Sequence, residues 1–187
     1  MRRAVAVTAL ALVAGVGCGG GGNGLSPREQ GMRSTFEGSY QVKGEEDGRV
    51  QGVGIYDNGS FRIVVEGTPY MVIYNQESGE GWQVNLQQKD YEPISHGEAL
   101  LKAGFMPYLV MKPYFDLEQF WEGAEFRMDT ADGRSIRAYL EGPGYLPSAW
   151  EVEAQGRVFE RLSWEYRRVG RVSRENFQLP EGLKPRG

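Results

Sequence analysis

The sequence is poor in the residue types on which most site chemistry depends. It has one cysteine, Cys18, and one histidine, His96, in 187 residues. A single thiol cannot close a disulfide within the chain. One thiol and one imidazole also fall short of the ligand set of an ordinary zinc site. No metal and no other cofactor is expected. Charge of one sign is scarce as well: 21 basic against 25 acidic side chains leave a net −4, which lacks the basic footprint of a nucleic-acid binder. No Gly-x-Ser-x-Gly elbow is present. His96 reads as a surface residue at a helix start. The acid pairs Glu45-Glu46 and Glu151/Glu153 fall in turns or on solvent faces, where solvated charge explains them better than a glycosidase carboxylate pair. No constellation for catalysis emerges, and the chain is not expected to be an enzyme.

Long apolar runs are confined to the start. Met1-Arg2-Arg3 is a basic opening, and Ala4 to Val16 is apolar or small apart from Thr8. That run is too short for a comfortable membrane span, which needs about 20 residues, and it fits a secretory signal over residues 1–17. Gly15-Val16-Gly17-Cys18 resembles a bacterial lipobox, in which the cysteine is lipidated and becomes the mature N-terminus. The alternative is a plain secretory signal with Cys18 incidental. Gly19 to Gly24 then reads as a flexible tether, extending with polar residues to 34. A short helix opening at Ser26-Pro27 fits within it, because serine caps and proline suits a first turn. Lipidation of Cys18 implies a membrane-anchored protein on the periplasmic side of a bacterial membrane, the outer membrane in the first instance.

What remains is rich in aromatics, with ten tyrosines and four tryptophans, and in glycine, with 27. From Thr35 the pattern is that of consecutive strands. Phe36, Gly38, Tyr40 and Val42 alternate with polar residues, which gives a strand one apolar and one wet face. Asn58-Gly59 is a strong hairpin signal, and Gly52 and Gly54 let the second strand bend or be approached closely. Further strands are predicted at Phe61–Glu66, Tyr70–Asn75 and around Trp82–Leu86. The fourth, Tyr70 to Asn75, is apolar on both faces, as expected where something covers the outside or fills the inside. Strands resume over Ala124–Thr130, Ser135–Leu140, Leu146–Ala154 and Arg157–Val169. The arginines of the last stretch (Arg157, Arg161, Arg167, Arg168) are interspersed with Glu160 and Glu165 and read as a mixed solvated face.

Between the two sets of strands lies an insert too long for a hairpin loop and too apolar for a solvated one. A helix is predicted from Ser95 to Ala103, with Ser95 and Glu98 as a capping box. An apolar stretch follows to Pro113, then a second short helix from Asp116 to Trp121. Long connections of this kind commonly serve as lids or binding loops. The expected fold is therefore mainly β (α+β): a strongly curved antiparallel sheet, a half-barrel, with short helices as a lid over its concave face. A bent sheet with apolar residues inward encloses a dry concavity, and apolar pockets take apolar ligands. The candidate lining is Tyr40, Phe61, Ile63, Tyr70, Val72, Trp82 and Trp164. The candidate lid residues are Leu101, Met106, Leu109, Phe120 and Trp121. The pattern leaves open which strand face is concave. It also leaves open plain core packing of a small α+β domain.

Three stretches resemble the LolA/LolB-like periplasmic lipoprotein-carrier superfamily. They are the opening strand Phe36-Glu37-Gly38-Ser39-Tyr40, the segment Pro69 to Val84 with Gly81-Trp82-Gln83-Val84, and the ending. The ending comprises Leu146-Pro147-Ser148, Trp164-Glu165-Tyr166 and Phe177-Gln178-Leu179-Pro180-Glu181-Gly182. The resemblance covers residues 35–183. It implies a half-barrel that binds acyl chains of lipids or lipoproteins and takes part in their transport to the outer membrane. The other reading is a structural or assembly lipoprotein that grips a protein partner and carries no lipid.

Overall fold

The computed structural model describes residues 24–186. Cys18, the signal-like stretch and the glycine run up to residue 23 lie outside them. The first strands are β1 (Ser39–Glu46), β2 (Arg49–Asp57), β3 (Ser60–Val65), β4 (Tyr70–Asn75), β5 (Glu80–Asn85) and β6 (Asp90–Pro93). The second set is β7 (Trp121–Glu122), β8 (Glu125–Asp129), β9 (Arg134–Tyr139), β10 (Ala149–Ala154) and β11 (Arg157–Val169), with β12 (Lys184–Pro185) in the tail. Three α-helices, α1 (Pro27–Phe36), α2 (His96–Lys102) and α3 (Pro107–Phe115), and short 3-10 turns at Glu118–Phe120, Pro143–Tyr145 and Arg174–Phe177 complete the described elements. No helix among the described residues is long and apolar enough to cross a membrane.

All twelve strands belong to one open sheet, in the order β12-β6-β5-β4-β3-β2-β1-β11-β10-β9-β8-β7. The sheet is a curved half-barrel, antiparallel except where β12 lies parallel to β6. Its logic is two meanders. The first runs outward from the centre, β1 to β6. The second runs from the opposite edge back to the centre, β7 to β11. β11 joins them, because its 13 residues are long enough to pair with β10 through one half and β1 through the other. The hairpins follow the turn chemistry: Asn58 and Gly59 both have positive φ, 42° and 91°, the left-handed pair that a two-residue turn between twisted strands requires. Register shifts opposite β1 and β10 leave one extra residue in the partner strand, Arg167 and Phe159 in β11 and Gln51 in β2, and each adds the local bend of a bulge.

The connection from β6 to β7 must travel from one edge of the sheet to the other. Helices α2 and α3 make that crossing over the concave side. Ser95 accepts from the Glu98 amide while the Glu98 carboxylate receives the Ser95 N–H, so the expected capping box closes the start of α2. The stretch from Gly104 to Pro113, expected only as an apolar segment, is largely helix α3, with Pro107 in its first turn and Pro113 inside. The helix expected at Asp116–Trp121 reduces to a 3-10 turn, Glu118–Phe120, and Trp121 begins a strand.

The N-terminal side needs a correction. The residues expected as tether up to 34 are helical from Pro27, and the helix runs on through Thr35 and Phe36, which the alternation had placed in the first strand. A capping box between Ser26 and Glu29 starts this helix, and its small Gly31 lies so close to Leu140 that an added Cβ would stand 2.6 Å from its Cδ1. Arg28 donates twice to the carbonyl of Phe115. These contacts dock α1 on the end of α3 and on the loop after β9.

The sheet is covered on both faces around β4. On the concave side lies the main core. On the convex side Met71, Ile73 and Val84 are buried, with Trp82, Tyr91, Leu179 and Leu183 packed on them. The tail after β11 thus supplies the outside cover that the two-sided apolarity of β4 called for.

Candidate functional site

The concave face is built from alternate residues of neighbouring strands. Tyr40, Val42 and Gly44 of β1 oppose Tyr56, Gly54 and Gly52 of β2. Gly54 and Tyr56 in turn oppose Ile63 and Phe61, and these oppose Val72 and Tyr74. On the other side Gly44 opposes Trp164. Five of the expected lining residues, Tyr40, Phe61, Ile63, Val72 and Trp164, therefore share this face and belong to the same buried cluster. Tyr70 has the same parity but is half-buried, outside that cluster, opposite Asn85 at the sheet's end. Trp82 is on the wrong face: it pairs with Ile73 and packs into the convex cluster. Its inward neighbour on β5 is Gln83, which donates to Glu92 at 2.8 Å.

The expected hollow is filled by the chain itself. Met106 and Met111 are fully buried, and Phe115, Phe105 and Tyr108 are exposed by 1, 7 and 9 %, all within the cluster formed by the concave face. The side chains at 108, 111 and 115 follow the spacing of one helix face, so α3 lies on the sheet as a plug. Of the expected lid residues, Met106 sits deepest, and Leu109, Phe120 and Trp121 pack at the margin of the cluster. Leu101 does not join it: at 83 % exposure it points to solvent from the end of α2.

Glycine makes room for the plug. A Cβ on Gly44 would stand 2.5 Å from the Phe105 ring, one on Gly52 would stand 2.9 Å from the same ring, and one on Gly54 would overlap the sulfur of Met106. These strand glycines serve close approach rather than turning. Aromatic stacking continues the bed, with Tyr40 on Tyr56 at 5.0 Å and Tyr56 on Tyr108 at 4.6 Å between ring centroids. Two tyrosine hydroxyls of this core reach backbone carbonyls: Tyr56 Oη donates to Phe36 O at 2.7 Å and Tyr166 Oη to Pro147 O at 2.7 Å. Burial pushes the Tyr56 phenol up to about 12 and also raises those of Tyr40, Tyr108 and Tyr166.

Two indole N–H groups tie the strands to the plug by hydrogen bonds among the described residues: Trp164 Nε1 to Phe105 O at 2.7 Å and Trp121 Nε1 to Tyr114 O at 2.9 Å. The Tyr108 hydroxyl is buried in this core with no hydrogen-bond partner among the described residues. At the mouth of the half-barrel, a groove of about 370 Å³ is walled by Leu101, Val65 and Leu162, with Glu46, Lys102 and Glu160 on its rim, and it ends on Phe105. His96 is exposed at the start of α2 and stacks on the rim of this face, on Tyr74 at 4.3 Å. The candidate lid residues did not include Tyr108, Met111 and Phe115, which the structure places on the concave face. Their i, i+3, i+7 spacing was the available signal.

No family model matches the chain, and no curated protein sequence matches it. Among solved structures it is similar to an uncharacterized conserved protein from Thermus thermophilus. The identity is 10 %, over 85 % of this chain and 95 % of that one, at a TM-score of 0.44. It is also similar to MucB, solved in complex with MucA(peri), with 12 % identity over 84 % of this chain and 60 % of that one, at a TM-score of 0.39. Likenesses at these scores carry no argument about what this chain does.

Proposed function

We propose that this chain is a non-catalytic, membrane-tethered protein of the bacterial periplasm that takes up an acyl chain, from a lipid or a lipidated protein, on its concave face in exchange for the α2–α3 plug. The observation that carries the proposal is the plug itself. It is apolar, it rests on a glycine bed, and it is bound to the strands by two indole hydrogen bonds. A site whose occupant is held chiefly by apolar contact accepts another apolar occupant. Magnitudes favour reversibility. Burying a 16-carbon chain is worth about 12 kcal/mol at about 0.8 kcal/mol per CH₂. Exposing five large plug side chains costs about 7–15 kcal/mol at about 1.5–3 each. The two nearly offset, as a carrier that must also release requires. A carboxyl or ester entering with the chain would also give the buried Tyr108 hydroxyl a partner, a group that costs about 1–3 kcal/mol while unpaired.

The second reading, a lipoprotein that grips a protein partner with its core simply filled, is favoured by the same packed interior. Lipid extraction separates them. The full chain, purified from bacterial membranes and sprayed in native mass spectrometry, is expected to carry one acyl-bearing molecule, and the stripped protein to bind cis-parinaric acid. A lipid-free preparation that also ignores the probe leaves the second reading standing. Replacing Cys18 with alanine is expected to move the protein to the soluble fraction; continued membrane association would remove the anchor from the account.

A further inference from the structure

Away from the concave face, the β7–β8 edge of the sheet is unfinished. β8 is paired along its whole length with β9, but β7 covers only Phe126 and Glu125. The two-residue turn Gly123-Ala124 closes on the Glu122–Glu125 pair, so Glu125 directs its N–H and C=O toward β7. Alternation along an antiparallel strand then directs the N–H and C=O of Arg127 and Asp129 to the same side, where no strand lies among the described residues. In place of a strand there is a groove of about 510 Å³, floored by Phe120 and Trp121 and flanked by Glu122, Glu125 and Asp129. Trp121 is held rigidly, stacked on Phe115 at 5.3 Å with the planes 4° apart. Among the described residues Arg127 is the one cation lining the groove, and it is drawn toward Asp129 at 4.0 Å, so the groove as described is acidic on balance.

We propose that this edge binds a basic, extended peptide segment of a partner protein, which adds to β8 as a short strand in line with β7. Strand addition takes its affinity from main-chain hydrogen bonds and its specificity from alternate side chains. Four main-chain groups are on offer, the N–H and C=O of Arg127 and Asp129. One side-chain row of the peptide would lie over Phe120 and Trp121, and the other would meet the carboxylates of Glu125 and Asp129. The occupant is peptide rather than lipid because the groove presents a ladder of main-chain groups. It is basic because three carboxylates face one guanidinium. The inference does not require an acyl chain to bind, because the main-chain groups it uses belong to β8, although the groove floor Trp121 rests on Phe115 of the plug.

The test uses the full chain and a labelled hexapeptide of alternating lysine and valine, with a glutamate–valine hexapeptide for comparison. The expected result is saturable binding that shifts the amide resonances of Arg127 and Asp129 in ¹⁵N spectra and slows their exchange, with the glutamate peptide at least tenfold weaker. Arg127→Pro removes a donor that faces away from β9, and proline is tolerated where the N–H side of an edge strand is open. This variant is expected to fold and to bind at least tenfold more weakly. Asp129→Lys, which leaves the main chain intact, is expected to weaken the lysine peptide and strengthen the glutamate one. The proposal is overturned if the two amides do not move at millimolar peptide, if a folded Arg127→Pro binds normally, or if both peptides bind alike. Sedimentation showing that the chain dimerises through this edge would also overturn it, in favour of a second copy.

Discussion

Replacing Gly44 with alanine puts two effects of opposite sign in competition. Glycine in a strand interior is less favourable than alanine by roughly 0.5–1 kcal/mol, so on an open strand the substitution stabilises. In this fold the new Cβ would stand 2.5 Å from Cδ2 of Phe105 and 3.3 Å from two more ring carbons. Forcing atoms into a packed core costs about 1–3 kcal/mol, and the ring lies between Gly44 and Gly52, so moving it means lifting the start of the plug. The expected outcome is a net loss of about 1–2 kcal/mol, a fall in melting temperature of roughly 2–8 °C for a domain of this size. Because Trp164 donates to the Phe105 carbonyl, its emission should shift to the red in a variant that keeps only this tryptophan. Uptake of cis-parinaric acid should rise at the same time, since part of the plug has already left. Gly97→Ala is the control: no atom lies within 4 Å of its added Cβ, and in helix α2 it should gain up to about 1 kcal/mol. If Gly44→Ala stabilises as Gly97→Ala does and leaves Trp164 emission unchanged, no ring rests on Gly44 and the glycine-bed argument is wrong.

Met111→Ala should cost about 2–5 kcal/mol in chemical denaturation, and decanoate should return part of the loss by filling the space; no recovery at saturating decanoate would count against exchange on this face. Stability should fall at alkaline pH. The Tyr56 phenol is raised to about 12 in the fold by burial against about 10 in the unfolded chain, so its contribution is intact below pH 10 and is lost between about pH 10 and 12. Phenolate absorbance and unfolding followed together would show this, and free ionisation near pH 10 without unfolding would refute the burial. Truncation after Gln178 removes Leu179, Leu183 and β12 and uncovers Met71, Ile73 and Val84. The shortened chain should bind a hydrophobic dye and melt earlier, and an unchanged melt would mean that the tail does not seal the convex face.

Much of the strand framework was legible because its signals are local. Asn58-Gly59 marks its own turn, and the spans Tyr70–Asn75 and Arg157–Val169 coincide with β4 and β11. Where the decisive fact is a long-range contact, the sequence was mute. Helix α1 carries only Met32 and Phe36 as large apolar side chains, too few for a periodic stripe, and it docks through long-range contacts: Gly31 against Leu140, 109 positions away, and Phe36 edge-on to Phe115. Strand β6 is four residues at an edge, completed by the tail. The parity of β5 could not be settled from a β4 that is apolar on both faces, so Trp82 was assigned inward, whereas its register opposite Ile73 turns it outward. The filled interior is a matter of volume. The alternation on Tyr40, Phe61, Ile63 and Val72 shows that a face is apolar, but not whether its cover is a ligand or the chain's own Met106 and Met111.

The central claim is that an acyl chain replaces the plug on the concave face. The most direct test is quenching of single-tryptophan variants by a dibrominated fatty acid, with Trp164 on the concave face and Trp82 on the convex one. Saturable quenching of Trp164 and none of Trp82 is the expected result. Quenching of Trp82 alone, equal quenching of both, or no quenching of Trp164 at saturating probe would contradict it.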